Sequence, residues 1–86
     1  MIPPYKYTVD DAVLEVFAAT TKRQREKLLR IFGQLADKPF QAGDAVQRDH
    51  VGRPLQVKRF DEWTVTYWPE HLGNMVHIVA LEHLRA

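Results

Sequence analysis

The side chains able to move a proton or hold a phosphate are few and dispersed in this sequence. There are four histidines, His50, His71, His77 and His83, and no cysteine. Histidine alone among them has an unperturbed pKa, about 6.5, that lets it both accept and donate a proton near neutral pH. His50 and His71 fall in segments that read as exposed loops. His77 and His83 fall on one apolar run with the same parity, and no carboxylate lies at a useful spacing from either. No phosphate-binding Gly-rich loop, nucleophile elbow or paired metal-ligand motif occurs, so no metal and no cofactor is expected. The cations are more clustered. Lys22, Arg23, Arg25, Lys27 and Arg30 fall close together with Glu26 as the only acid among them. Such a run is either the solvated face of a helix or a stripe that faces phosphate.

A second polar set lies further on. Leu55 and Val57 alternate with Gln56 and Lys58, and Trp63-Thr64-Val65-Thr66-Tyr67-Trp68 is the strongest strand signal in the chain. If Leu55, Val57 and Val65 face a core, the two-residue period sends Gln56, Lys58, Thr64 and Thr66 to the opposite face. Beside Trp68 that face could hold an extended nucleic-acid strand by phosphate contact and base stacking. Equally, it could be the solvated side of a one-faced sheet.

These side chains need elements to position them. Tyr5 to Val9 reads as a short strand. Thr8 with Asp11 is a capping-box pattern, and a first helix is expected over about Asp10 to Ala19. Thr21 with Gln24 repeats the pattern and starts a second helix, with Leu28, Ile31 and Leu35 as its stripe and Leu29 and Phe32 beside it. Pro39 ends that helix. Residues 40–52 read as a loop. Strands follow around Leu55–Val57, over Trp63–Trp68 and over Met75–Leu81. Asp61-Glu62 forms the first turn between them, and a loop over Pro69–Asn74 the second. The expected fold is α+β, with a short N-terminal strand and a helical hairpin packed on one face of an antiparallel β-meander.

Composition sets the outer limits. The chain has 86 residues, enough for one modest core over residues 1–86 and too few for two. Apolar residues make up 45% and charged residues 27%, a balance that argues against disorder. Without Cys there is no disulfide or zinc framework, so stability must come from packing and from partners. The net charge of +1 gives no overall electrostatic pull on nucleic acid. No apolar run approaches the roughly 20 residues that span a bilayer, and the start is not patterned as a signal peptide. A soluble cytoplasmic protein with no membrane contact is expected.

In this order and length the elements resemble the RelE/ParE superfamily of bacterial toxins. The residues that carry the resemblance run from Tyr5-Lys6-Tyr7-Thr8-Val9-Asp10-Asp11-Ala12 through the Leu-rich second helix to Lys38-Pro39. They continue in Gly52-Arg53-Pro54-Leu55-Gln56-Val57-Lys58-Arg59, in Trp63 to Trp68 and in Val76 to His83. The resemblance implies the toxin half of a type II toxin–antitoxin pair, with a cognate antitoxin as partner. For the RelE branch it implies cleavage of messenger RNA on the ribosome. For the ParE branch it implies inhibition of DNA gyrase without catalysis. A catalytically degenerate member would keep partner binding alone.

Carried over by position, the resemblance puts Lys58 at the family's basic residue on the second meander strand and His83 at the His or Lys that ends the last one. Thr64 stands where the family has Arg, and Leu84 where Arg is usual, with Arg85 next to it. The RelE branch's C-terminal Tyr has no counterpart. If the protein cleaves RNA, Lys58, Arg53, His83 and Arg85 are expected to do the chemistry. His83 would transfer protons, and Lys58 and Arg53 would hold the phosphate. Tyr67 or Trp68 would stack a base, with Gln56 beside them. Lys22, Arg23 and Arg25 are expected to meet an acidic or amphipathic antitoxin segment.

Overall fold

The structure, a computed structural model, describes residues 4–84. The elements in chain order are strand β1 (Lys6–Val9), helix α1 (Asp11–Ala18), helix α2 (Lys22–Asp37), and strands β2 (Ala45–Arg48), β3 (Pro54–Phe60), β4 (Trp63–Glu70) and β5 (Met75–His83). The strands form one sheet in the order β1-β5-β4-β3-β2. β1 runs parallel to β5, and the other pairs are antiparallel. This is the expected α+β layout, a helix pair on one face of a meander.

Local chemistry accounts for the helices. At α2 both halves of the Thr21–Gln24 capping box form: the Thr21 hydroxyl accepts from the Gln24 amide at 3.2 Å, and the Gln24 side chain accepts from the Thr21 amide at 2.9 Å. Leu28, Ile31, Phe32 and Leu35 are buried, and Lys38 leaves helical geometry just before Pro39. α1 differs from expectation. Its N-cap is Asp10, which makes no side-chain cap bond. Thr8 is not a cap, because its hydroxyl is engaged with His77 across the parallel pair.

α1 packs over β5, and α2 over β1 and β5. Between helices and sheet lie Val13, Leu28, Phe32 and Leu35 against Trp63, Val65, Tyr67, Val76 and Ile78, all almost fully buried. Fully burying one such side chain contributes about 1.5–3 kcal/mol.

The sheet departs from expectation in three ways. First, Ala45–Arg48 is an edge strand inside the segment read as a loop. All of it is exposed, so it carries no hydrophobic alternation to betray it. It is held from outside the strand as well. The Asp44 amide donates to the Val57 carbonyl at 2.8 Å, and the Asp44 carboxylate accepts from the Arg59 amide at 2.8 Å. Gly43 lies against the Val57 backbone, where a Cβ would come within 2.7 Å of the carbonyl oxygen.

Second, the parity of β3 is the reverse of that expected. Phe60 pairs with Trp63, Lys58 with Val65 and Gln56 with Tyr67. Directly opposed residues share a face, so Gln56, Lys58 and Phe60 lie on the helix side and Leu55, Val57 and Arg59 on the open side. Only the Phe60 end of β3 lies against α2, beside Ile31 and Gln34, and polar residues are tolerated at Gln56 and Lys58. Gln56 accepts from the Gly43 amide at 2.8 Å, and Lys58 Nζ sits 5.8 Å from the Phe60 ring centre.

Third, the register of β4 and β5 shifts between Thr66 and Tyr67, which face Ala80 and Ile78 respectively. Val79 is the extra residue of a bulge, and the alternation restarts beyond it. His77 and His83 therefore lie on opposite faces and do not share parity. His77 pairs with Trp68 on the open face, and His83 with buried Trp63 on the helix side.

Candidate functional site

The open face of the sheet carries no helix among the described residues, and the polar groups there are gathered around Trp68. Its ring stacks with the cross-strand neighbour His77 at 4.5 Å between centres and 22° between planes. The Arg53 guanidinium lies over the same ring at 4.0 Å. Because β3 and β5 flank β4, Arg53, just before β3, and His77, on β5, reach Trp68 from opposite sides.

His77 is fixed at both ring nitrogens. Nδ1 is 2.9 Å from the Thr8 hydroxyl, and Nε2 is 3.1 Å from a Glu70 carboxylate oxygen. An ionised carboxylate only accepts, so Nε2 carries the proton. The Thr8 hydroxyl then donates to Nδ1 of the neutral ring or accepts from it in the imidazolium. Either charge state is satisfied without movement of the ring.

Arg53 is fixed by the hairpin that precedes it. Asp49 Oδ1 accepts from the amides of Val51 at 3.0 Å and Arg53 at 2.8 Å. Gly52, at φ +84°, makes the turn that other residues would resist. Arg48 donates to the Gly52 carbonyl at 2.9 Å, and Asp49 Oδ2 stands 3.7 Å from the Arg53 guanidinium. Burial pushes the Asp49 carboxyl up, but the Arg53 and Val51 amides, helped by the charges of Arg53 and His50, outweigh it and hold it below the usual carboxylate range.

Between these groups runs a cleft of about 350 Å³ across the sheet. Leu55 and Val79 give it an apolar floor, Asp10 stands at one end, and Asp49 and His50 at the other. A planar cation, a fixed imidazole and two carboxylates around an apolar floor can hold a flat heterocycle or an anionic group. Among the described residues no three His, Asp or Glu side chains converge as a metal site.

The residues expected from sequence divide sharply. Arg53 and Trp68 are brought together. Gln56 and Lys58 lie on the other side of the sheet. Tyr67 is 1% exposed, with its hydroxyl donating to the Gln41 carbonyl at 3.1 Å, so it is a core residue and offers no ring to a base. His83 is exposed, tilted over Trp63 at 4.6 Å beside Val16, Ala19 and Gln24 of the helices, far in the fold from Arg53. Arg85 lies outside the described residues. Thr64, opposite Glu82, does point to the open face. On α2, Lys22 and Arg23 are exposed, but the Arg25 side chain donates to the Thr20 carbonyl at 2.6 Å and is committed to its own helix.

Sequence reasoning missed Thr8, Asp10, Glu70 and His77 as a group. The signal existed for part of it: Glu70 and His77 flank the last turn, seven positions apart. The parallel pairing that brings Thr8 to His77 leaves no mark in the sequence.

A larger, apolar cleft of about 530 Å³ lies at the end of α2, lined by Tyr5, Ala36, Pro39 and Phe40. The Tyr5 hydroxyl is 2.6 Å from His71 Nδ1, and the His71 ring stacks on Phe40 at 4.8 Å.

No protein-family model matches the chain, and neither does any curated protein. Solved structures do. A chain of the toxin–antitoxin complex RelBE2 from Mycobacterium tuberculosis superposes with a TM-score of 0.77 at 17% identity, over 96% of this chain and 94% of that one. A chain of the archaeal RelE–RelB complex from Pyrococcus horikoshii OT3 gives 0.72 at 14%, over 94% and 96%. A chain of the intact RelBE toxin–antitoxin complex of E. coli gives 0.69 at 11%, over 95% and 99%. The chain has the RelE fold along nearly its whole length.

Proposed function

We propose that this protein is the toxin of a type II toxin–antitoxin pair and that its activity is ribosome-dependent cleavage of messenger RNA. The observation that supports it is the agreement in fold, end to end on both chains, with chains of three separate toxin–antitoxin complexes. In this reading a cognate antitoxin covers the domain, with Lys22 and Arg23 meeting its acids and the apolar cleft beside Phe40 receiving an apolar side chain. The open sheet face, with Arg53 and Trp68, receives the RNA. Thr64 stands on that face at the position where the family carries Arg, and it supplies no fixed charge to a phosphate.

That last point favours a second reading, a toxin fold that binds without cleaving, either on DNA gyrase or on its antitoxin alone. Lys58 and His83, expected to do the chemistry with Arg53, lie on the helix side of the sheet while Arg53 lies on the open side, which favours it further. Induced expression with and without the neighbouring gene product tests the toxin reading: growth arrest that the neighbour relieves is expected. A ribosome-programmed cleavage assay then separates the activities. Cut message is the expected outcome. Intact message with gyrase-dependent DNA damage would replace it by the gyrase reading, and no arrest at all would leave partner binding.

A further inference from the structure

Thr8, His77 and Glu70 line up as a hydroxyl, a base and a carboxylate. The Thr8 hydroxyl is 2.9 Å from Nδ1 of His77, and a Glu70 carboxylate oxygen is 3.1 Å from Nε2. Both distances lie within the reach that a nucleophile and its base require when a third group orients the base. Stacking on Trp68, at 4.5 Å and 22°, holds the plane of the imidazole. With the proton on Nε2 engaged by the carboxylate, the lone pair of neutral Nδ1 faces the hydroxyl. The three residues come from three neighbouring strands, β1, β5 and β4. Such a constellation is recognised by geometry and not by spacing in the chain. Gly73 bears on it independently, because a Cβ there would collide with Glu70 Oε2. Thr8 itself is exposed on the edge strand, so its oxygen is open to a substrate.

From this we infer a second activity: Thr8, His77 and Glu70 transfer the acyl group of a small carboxylic ester to water. Thr8 Oγ attacks the ester carbonyl carbon and gives its proton to His77 Nδ1. Glu70 and the indole face of Trp68 stabilise the imidazolium that forms, as does Asp10, which lines the same cleft as His77. The bond to the leaving alcohol breaks, its oxygen takes that proton, and the acyl group stays on Thr8. Water then attacks the same carbon and loses a proton to Nδ1. The bond to Oγ breaks, Oγ takes that proton, and the acid leaves. Lys6 lies two residues before Thr8 on the same face of β1 and is exposed, with no ion pair among the described residues. Its ammonium is the cation available to the developing oxyanion. Thr8 and His77 are the catalytic residues here, and Glu70 is a positioning residue. Because Thr8 stands on an edge strand and not in a closed pocket, short acyl groups with a good leaving group suit it. The inference goes beyond the proposed function and needs neither RNA nor an antitoxin.

The test is hydrolysis of p-nitrophenyl acetate by the full chain, followed as released p-nitrophenolate. Mass spectrometry of peptides after an acid quench locates the acetyl group, which is expected on Thr8. Thr8→Val keeps the shape and branching of the side chain but not the hydroxyl. It should lower the rate about a hundredfold, the scale of proton transfer to a positioned base. Thr8→Ser, which keeps the hydroxyl, should retain activity. His77→Gln should abolish it while the NMR signal of the buried Trp63 indole stays in place, showing the core intact. Glu70→Gln should lower the rate and shift the His77 ring from the Nε2–H form toward a mixture of tautomers, read from its ring nitrogen NMR shifts. A Glu70 that serves only to tie strands together would leave the tautomer unchanged. Three results would each overturn the inference: Thr8→Val as active as the wild type, acetyl found on Lys6 or a histidine and not on Thr8, or Glu70→Gln with rate and tautomer both unchanged.

Discussion

Asp49 shows how one carboxylate can set a site it does not itself form. It accepts from the Val51 and Arg53 amides, and those bonds close the hairpin that presents Arg53 to Trp68. Its folded pKa lies below the ordinary value, so folding is favoured by the charged form. That stabilisation is complete above about pH 4, the ordinary carboxylate range, and is lost as the pH falls through the lower folded value. Asp61 and Glu62 are depressed too. The Lys27 ammonium does this for Asp61, and for Glu62 its own backbone amide acts first and Lys27 second. Global unfolding in acid therefore mixes several groups, and local amide signals are the better readout. The Val51 and Arg53 amides should titrate together with a midpoint below the ordinary carboxylate range. A midpoint at or above it would mean that Asp49 does not hold them. Tyr67 is the complementary case. Burial, with the Asp44 charge adding to it, pushes its phenol up, and the hydroxyl is tied to the Gln41 carbonyl. Tyr67→Phe should cost about 1 kcal/mol, read as a lower urea midpoint at unchanged slope. An unchanged midpoint would show that the Gln41 carbonyl finds another donor.

α2 makes a sharper contrast possible at the scale of an element, because neighbouring leucines differ completely in burial. Leu28 is 0% exposed and Leu29 48% exposed. Leu28→Ala should cost about 2–5 kcal/mol through lost burial and the cavity left behind, whereas Leu29→Ala should stay within about 0.5 kcal/mol. Equal losses in chemical denaturation would mean that the stripe is rotated. That stripe was plain in the sequence because helical periodicity and the Thr21–Gln24 box agree on one phase. The sheet was legible in outline and not in register. A two-residue turn at Asp61-Glu62 was recognised, and it obliges Phe60 to face Trp63 and Lys58 to face Val65. Followed through, it places Lys58 on the helix side; the hydrophobicity of Leu55 and Val57 pointed the other way and misled. The bulge at Val79 has no turn residue to announce it, since Ile78-Val79-Ala80 is an unbroken apolar run that fits either phase. Without it His83 falls on the same face as His77, and the candidate site is drawn on the wrong side. β2 was hidden for a different reason: an edge strand with no buried face has no apolar period to detect.

At the scale of the molecule the two faces have different tasks in the proposed function, and charge separates them. The helix layer presents Lys22, Arg23 and Arg30 to solvent, while Lys27 is consumed by Asp61 at 2.9 Å and Glu62 at 3.0 Å and Arg25 by the Thr20 carbonyl. With a net charge of only +1, this local excess is balanced by acids elsewhere, so a partner's acids would be drawn to this end in particular. Exposed ion pairs contribute little to the stability of the chain itself, and Lys22 and Arg23 make none among the described residues. Reversing both to Glu should therefore leave the melting temperature nearly unchanged. Association with the neighbouring gene product should slow and weaken, and the salt dependence of the association rate should flatten, because steering rather than packing is what these charges supply. Arg25→Glu behaves differently in this account: it removes a bond to the helix start, so it should lower stability as well as association. A double reversal at Lys22 and Arg23 that leaves the rate and its salt dependence intact would make the stripe a solvated helix face. The partner would then have to be sought at the apolar cleft beside Phe40.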